Sequence, residues 1–267
     1  MLTRLCVLLM LGLIIGLSGC ASTETILREN PDPFEGYNRA MFGFNDKVDV
    51  VVLKPVAKGY QFIMPELLND GVTNFFSNIN DVIILFNDLL QLKFEQAAMD
   101  SSRIVFNTTF GLLGFFDVAS RYMDLPKHNE DFGQTLGYWG VGEGYYFVLP
   151  LLGPSTTRDV WSILVDSVVD PLQRFDTTLE RLGTRVLYVI DLRAGLLRVE
   201  RAFQNVQLDP YSFQRAAYLQ RRRNLVFDGN PPKPPLDFDE ESIQDILNNP
   251  EDPEQEASGP DGDDSTL

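Results

Sequence analysis

The sequence predicts an all-α fold over residues 34 to 228, where apolar residues recur at helical spacing between breaks at glycine and proline. The clearest example is a stripe that advances in steps of three and four from Leu182 to Val206 and ends before Pro210. A second segment, from Phe75 to Phe94, carries apolar groups on every side around Val82 to Phe86. A helix that is apolar all round is buried or in contact with lipid.

The first twenty residues have the pattern of a secretory signal. A short basic start ending at Arg4 precedes an uncharged apolar run from Leu5 to Leu17. Leu17-Ser18-Gly19-Cys20 resembles the bacterial lipobox, so residues 1 to 19 are interpreted as a signal peptide. Cys20 would then be the acylated first residue of a linker that reaches residue 33, and the resemblance implies sorting to the outer membrane because Ala21 follows. The alternative is an ordinary cleaved signal with an incidental cysteine.

The acidic charge of the chain is concentrated at its carboxyl end. Of the net charge of −16, twelve acidic residues and no basic residue lie between Asp237 and Leu267, whereas residues 21 to 236 carry 26 acidic and 21 basic side chains. Such a segment buries too little apolar surface to offset the entropy of ordering. Residues 229 to 267 are therefore predicted to be a proline-rich spacer and a disordered acidic tail; docking onto a basic partner is the alternative to simple solubilisation.

Polar residues recur every seven positions along the apolar segment, at Asn74, Asp81, Asp88 and Glu95. This polar line is interpreted as a partly exposed edge or as the wall of a wet cavity. No segment after the signal reaches the roughly 18 apolar residues of a spanning helix. The uncharged stretches that do occur are rich in aromatic residues and glycine, which favours a body lying in or against one leaflet of a membrane.

The residues needed for common catalytic chemistry are missing. His128 is the one histidine and lies in a polar loop, so no multi-histidine metal site is possible, and Cys6 and Cys20 leave no cysteine for zinc. Neither a Gly-x-Ser-x-Gly elbow nor a Gly-x-x-x-x-Gly-Lys phosphate loop occurs, and basic patches for nucleic acid are absent. We predict no enzyme activity, metal, cofactor or nucleic-acid partner.

A glycine-rich segment with aromatic flanks is the strongest candidate for a moving part. Gly140, Gly142 and Gly144 alternate with single residues and supply backbone freedom. The flanking aromatic residues are of the kind enriched at membrane interfaces; they are Tyr138, Trp139, Tyr145, Tyr146 and Phe147. A flexible hairpin is predicted, and a tight turn with core aromatics is the alternative.

A series of motifs spread over residues 31 to 227 resembles one family, the MlaA (VacJ) outer-membrane lipoproteins. In chain order they are Asp32 to Arg39, Met41 to Asn45, Leu53 to Ala57, Asn107 to Ala119, Asp131 to Gly137, Gly140 to Gly142, Leu149-Pro150, Gly153 to Asp159 and Asp209 to Tyr211. The order and spacing of these motifs fit the family's pattern. The acidic tail lies outside the resemblance.

The resemblance implies a ring of amphipathic helices embedded in the inner leaflet of the outer membrane, around a polar channel and facing the periplasm. It implies that mislocalised phospholipids leave the outer leaflet through this channel for a periplasmic lipid-carrier protein, and that trimeric porins are partners. Residues 138 to 147 would form a gating hairpin, and Phe44 and Asn45 would lie at the channel entrance. The competing functions are a membrane-bound lipid hydrolase and a structural lipoprotein that associates with porins.

Overall fold

A computed structural model of the chain describes residues 32–203 and 209–232, and within helix α8 it leaves a few side chains near residue 200 undescribed. The predicted signal, Cys20, most of the linker and the acidic tail lie outside these residues. The first helix, α1 (Glu35–Val48), runs through a π-helical turn (Asp49–Leu53) directly into α2 (Lys54–Ile63). Pro55 lies at the start of α2, where its missing N–H is best tolerated.

The two helices that follow form a tightly connected pair, α3 (Glu66–Leu90) and α4 (Phe94–Thr109). The end of α3 is a Schellman turn, because Lys93 N–H donates to Asp88 and Leu92 N–H donates to Leu89. Leu92 takes the left-handed position of that turn, with φ of 61°, where glycine is usual. A short helix, α5 (Val118–Tyr122), follows with Asp117 as its amino-terminal cap.

The second half of the chain combines helices with a small sheet. Helix α6 (Phe132–Tyr138) is capped by Asp131 and leads to the antiparallel strands β1 (Tyr146–Leu149) and β2 (Gly153–Thr156). After them come α7 (Val160–Val169), a 3₁₀ turn (Pro171–Arg174), α8 (Thr178–Phe203) and α9 (Pro210–Val226). The predicted all-α class is confirmed, and this two-stranded sheet is the exception to it in the described residues.

Two small apolar clusters lie inside the described part of the chain. One joins α2 to α8 through Ala57, Ala194 and Leu197, with Tyr60 packed against them. The other joins β1 to α9 through aromatic and aliphatic groups, with α1 packed against it: Tyr146, Val148, Tyr211, Met41, Phe42, Tyr218 and Leu219. Among the helices of the described ranges, none combines the length and hydropathy needed to cross a bilayer.

Candidate functional site

The segment predicted to be a gate, Tyr138 to Phe147, connects α6 to the hairpin. Tyr146 stands opposite Thr156 in the strand register. Beyond that pair, Thr157 N–H donates to the carbonyl of Tyr145 at 2.9 Å, and Thr157 Oγ1 accepts from the Tyr145 N–H at 3.1 Å. The strand ladder therefore extends to Tyr145, and residues 139 to 144 form the connection.

The two residues predicted at a channel entrance lie in the second half of α1. Asn45 Nδ2 donates to the carbonyl of Leu149 at 2.9 Å, and Asn45 Oδ1 accepts from the Leu151 N–H at 2.7 Å. Phe44 is 45% exposed. Asn45 thus holds the far end of the hairpin, while the neighbouring Phe44 ring is exposed.

Asn38 makes the same two-sided contact two helical turns earlier, and the sequence reasoning gave it no role. Its Nδ2 donates to the carbonyl of Tyr146 at 3.1 Å, and its Oδ1 accepts from the Val148 N–H at 2.9 Å. Asn38 Nδ2 also bonds Asp32 at 3.0 Å. Each asparagine offers a donor and an acceptor to the backbone of the hairpin, Asn38 within β1 and Asn45 at its end, as a neighbouring strand would. The seven-residue spacing of two asparagines was the available signal.

The aromatic residues around the glycines divide into two groups. Tyr138 and Trp139 are 47% and 59% exposed, and Trp139 Nε1 donates to the Leu90 carbonyl at the end of α3, at 3.1 Å. Tyr146 is only 2% exposed and belongs to the β1–α9 cluster.

Tyr145 and Phe147 lie between these extremes and are half-buried. Both contact the ring of Phe34, Phe147 by stacking at 4.9 Å and Tyr145 edge-on at 5.6 Å. The segment therefore has one exposed aromatic end and one packed aromatic end.

The three glycines of this segment differ in their local conformation. Gly140, with φ of 88°, takes the left-handed position of a Schellman turn that ends α6, since Val141 N–H donates to the Leu136 carbonyl. Gly144 also has positive φ, 67°, and lies against Thr157. A Cβ on Gly140 or on Gly142 would meet no atom within 4 Å. The open space therefore lies around the first half and the centre of the connection.

The middle of the predicted polar line is a buried seam between α3 and α4, while Asn74 is half-buried and donates to the Phe115 carbonyl at 3.2 Å. Asp81 and Asp88 are fully buried; Asp81 pairs with Arg103 and with Lys127, and Arg103 is itself only 1% exposed. The interpretations of an exposed edge and of a wet wall were both wrong here, because protein side chains occupy this surface. Glu95 is exposed and belongs to α4, since the turn at Leu92 ends the helix before the fourth heptad position.

A second buried ion pair fixes α9 to the helices beside the hairpin. The Arg222 guanidinium donates to both Asp131, the cap of α6, and Asp159, at 2.9 Å from Nη2 in each case. Although burial alone would raise them, this guanidinium holds the pKa values of both carboxyls below their usual range. The sequence reasoning missed this pair, because a lone arginine among Arg221 to Arg223 carries no pattern.

His128 lies beside an open cleft of about 550 Å³ rather than on a free surface. Its Nδ1 is 2.8 Å from Asp100 Oδ2. Lys93, Glu95, Tyr138 and Asp228 share the cleft lining, which contains no serine, threonine or cysteine. No cluster of three or more metal-ligating side chains occurs in the part of the chain that the structure describes. His128 is thus paired and partly covered, with no serine or threonine hydroxyl and no thiol in the lining.

The distribution of apolar residues is inverted relative to an ordinary soluble fold. Among the described residues, 12 apolar residues are buried, against 21 polar or charged ones, and 40 large apolar side chains are exposed. The stripe on α8 belongs to the exposed set, including Leu192 at 49% and Leu196 at 58%. Exposed apolar surface of this extent marks contact with a membrane or with another protein. The fold and its surface therefore define a helical protein built to contact a membrane or another protein.

Comparison with known proteins identifies the family. A family model described as MlaA lipoprotein matches residues 30–225, and the chain belongs to this family. The intermembrane phospholipid transport system lipoproteins MlaA of Shigella flexneri and of Escherichia coli K12 are each 34% identical over 234 residues, which is 86% of this chain and 92% of theirs. The Haemophilus influenzae protein of the same name is 33% identical over 220 residues, 80% of this chain and 88% of its own.

A solved structure shares the fold as well as the sequence pattern. It comes from work described as the structural basis for maintenance of bacterial outer membrane lipid asymmetry. The TM-score is 0.64 at 34% identity, over 74% of this chain and 99% of that one. The predicted family is thus confirmed by sequence and by fold.

Proposed function

We propose that this chain is an outer-membrane lipoprotein that removes mislocalised phospholipids from the outer leaflet and hands them to a periplasmic carrier, which maintains lipid asymmetry. The observation that carries the proposal is the inverted surface, with 40 exposed large apolar side chains around a polar interior. The names of the three MlaA relatives, which place them in an intermembrane phospholipid transport system, support the same role here.

The exposed apolar faces support embedding in one leaflet. Phe62 and Ile63 at the end of α2 are 91% and 80% exposed, and the stripe of α8 adds six more large apolar groups. Moving each such side chain from water into hydrocarbon is worth about 1.5–3 kcal/mol. None of the described helices is both long and apolar enough to cross, and we place the helices within the inner leaflet, after delivery by the acyl chains on Cys20.

A polar passage explains how a headgroup crosses without an energy source. A charged headgroup loses several kcal/mol of solvation in hydrocarbon, so polar groups along its route lower the barrier. The buried polar seam of α3 and α4 supports this, because it demonstrates helices whose polar faces turn inward. We place the passage along other inward polar surfaces, since the seam itself is closed by its own ion pairs.

The connection between α6 and β1 is the proposed gate, with its moving part centred on Gly142, because the Val141 N–H is bonded to Leu136 and the Glu143 carbonyl accepts from the Arg158 N–H. Trp139 is tied to α3, and Tyr145 is tied to Thr157. Gly142 lies between these two fixed points with open space around it. Asn45 and Asn38, both on α1, would set the position of the hairpin. Substitution of Phe44 or Asn45 would therefore alter gating.

Substitution of Gly142 tests transport against the scaffold alternative. Gly142→Pro would freeze the centre of the connection, and Gly142→Ala would add only a Cβ that meets no neighbour. In cells, we expect the proline variant to accumulate phospholipid in the outer leaflet and the alanine variant to behave as wild type. Unchanged asymmetry in a folded, porin-associated Gly142→Pro protein would support a structural lipoprotein instead.

The lipid-hydrolase alternative depends on His128. His128→Gln keeps a hydrogen-bonding group beside Asp100 but removes a titrating base. We expect lipid asymmetry to be retained in this variant. Loss of asymmetry with normal expression and normal porin binding would favour catalysis.

The proposed partners are trimeric porins, the periplasmic carrier and phospholipid itself. Detergent extraction of the outer membrane, followed by affinity purification of the full lipoprotein, tests them together. We expect porin trimers and phospholipid to co-purify. A lipid-free, water-soluble monomer would contradict the embedded position.

A further inference from the structure

Two carboxyl groups meet inside the polar seam, Asp88 on α3 and Asp100 on α4, and both side chains are fully buried and within hydrogen-bonding distance of each other. One oxygen of each carboxyl has a hydrogen-bond partner. Gln96 Nε2 donates to Asp88 Oδ1 at 2.9 Å, and His128 Nδ1 lies 2.8 Å from Asp100 Oδ2. The other two oxygens, Asp88 Oδ2 and Asp100 Oδ1, accept from no donor in the described part of the chain.

This arrangement does not fit two ionised carboxylates. Ionised carboxyls only accept hydrogen bonds, so each would keep an unsatisfied buried oxygen, and the two negative charges would repel at short range. A single proton removes both problems, because it turns one oxygen into a donor for the other carboxylate. We infer that Asp88 keeps a proton at neutral pH, which it donates to Asp100, and that this shared proton is a pH-sensitive latch between α3 and α4.

The neighbouring arginine and lysines are bound to other carboxylates, so they do not offset the negative charge that a second ionised carboxylate would add. Arg103 and Lys127 are both bound to Asp81. Lys93 is bound to Glu130 at 2.9 Å and to Asp228 at 2.6 Å. The charged and titratable groups around the pair are Asp81 on α3, Lys93 in the α3–α4 turn, Arg103 on α4, Lys127, His128 and Glu130 before α6, and Asp166 on α7, which bonds Asn87. Only His128 directly contacts either carboxyl.

The titration of Asp88 has the direction that the latch requires. Burial, then the contact with Asp100 and the charge of Glu130, raises the pKa of Asp88 to about 8. An acid whose pKa is higher in the folded than in the unfolded chain binds its proton on folding, so this contribution to stability is complete below about pH 4. It declines above that and is lost as the pH passes about 8. The latch is closed at neutral pH and opens in mild base.

Infrared spectroscopy of the full chain, purified in detergent and titrated from pH 6 to pH 10, tests the shared proton directly. We expect the C=O stretch of a buried protonated carboxyl at pH 7, lost above about pH 9. Asp88→Asn and Asp100→Asn should each remove it, because an amide can donate the same hydrogen bond without titrating. Asp70→Asn, at an exposed position of α3, is the matched control and should retain the band.

Unfolding midpoints of the same proteins provide the second readout. The wild-type midpoint should fall between pH 7 and pH 9, while that of Asp88→Asn should stay constant. Absence of a protonated-carboxyl band at pH 7, or its survival in both variants, would overturn the inference. So would an equal loss of stability in wild type and Asp88→Asn over this pH range. Transport activity is not needed for either measurement, so the outcome is independent of the proposed function.

Discussion

Two pairs of helices in this chain contact each other by different means. Helices α3 and α4 meet through charged and amide side chains, such as Asp81 with Arg103. Between α2 and α8 the small residues Ala57 and Ala194 lie at the contact, with the Lys54–Glu200 ion pair beside them. Large apolar groups lie on the outside of both pairs, as with Leu192 on α8, while Phe76 and Ile84 on α3 and Leu197 on α8 are buried. Stability here therefore comes largely from polar pairing and close backbone approach, and many of the large apolar side chains serve the exterior.

The largest effect should come from breaking the polar contact. Arg103 donates to Asp81 and also to Ser120 Oγ and the Leu125 carbonyl, both at 2.6 Å. Arg103→Met would leave the buried carboxylate without this partner, which costs about 3–5 kcal/mol of unfolding free energy. Chemical unfolding in detergent micelles measures it, with the exposed Arg121→Met as the matched control. A loss no greater than that of the control would contradict the role of the seam.

A smaller effect is expected where α2 and α8 approach each other. Ala194 is fully buried in their cluster, so Ala194→Leu would force extra volume into a closed contact and cost about 1–3 kcal/mol. The same substitution at the exposed Ala98 of α4 should be nearly neutral. Equal unfolding free energies for the two variants would mean that close approach is unimportant.

The smallest change in folding is expected on the outer face, with a larger change in lipid binding. Leu192→Asp alters an exposed side chain, so the unfolding free energy in detergent should move by less than about 0.5 kcal/mol. Its binding to phospholipid vesicles should fall, because a charge in the apolar stripe opposes insertion. Gln220→Asp, at an exposed polar position of α9, is the control and should bind as wild type does. Unfolding of Leu192→Asp in detergent would place this face in the core instead.

The sequence predicted the helices better than it predicted their faces. The stripe from Leu182 lies on one long helix as far as Phe203, and Val206 lies outside the described residues; periodicity alone does not distinguish a core face from a lipid face. The end of α3 was missed because Leu92, and not glycine, takes the left-handed position, and Glu95 was therefore assigned to the wrong helix.

Residue types also predicted only part of the candidate site. Gly140 was singled out for flexibility, yet its conformation also ends α6. Tyr146 was grouped with exposed aromatics, although strand alternation turns it inward beside Tyr211. The contacts of Asn38 and Asn45 depend on a strand more than a hundred residues away, which no local pattern records.

The π-helical turn at Asp49–Leu53 joins two helices that are attached to different neighbours. On one side Asn38 and Asn45 attach α1 to the hairpin, and on the other Ala57 attaches α2 to α8. Successive residues of an α-helix are separated by about 100° of rotation, so one residue more or fewer in the turn re-aims everything beyond it. Removing one of Val50, Val51 and Val52 would turn Ala57 away from α8, although replacing any of them would not. What this turn must conserve is the number of its residues.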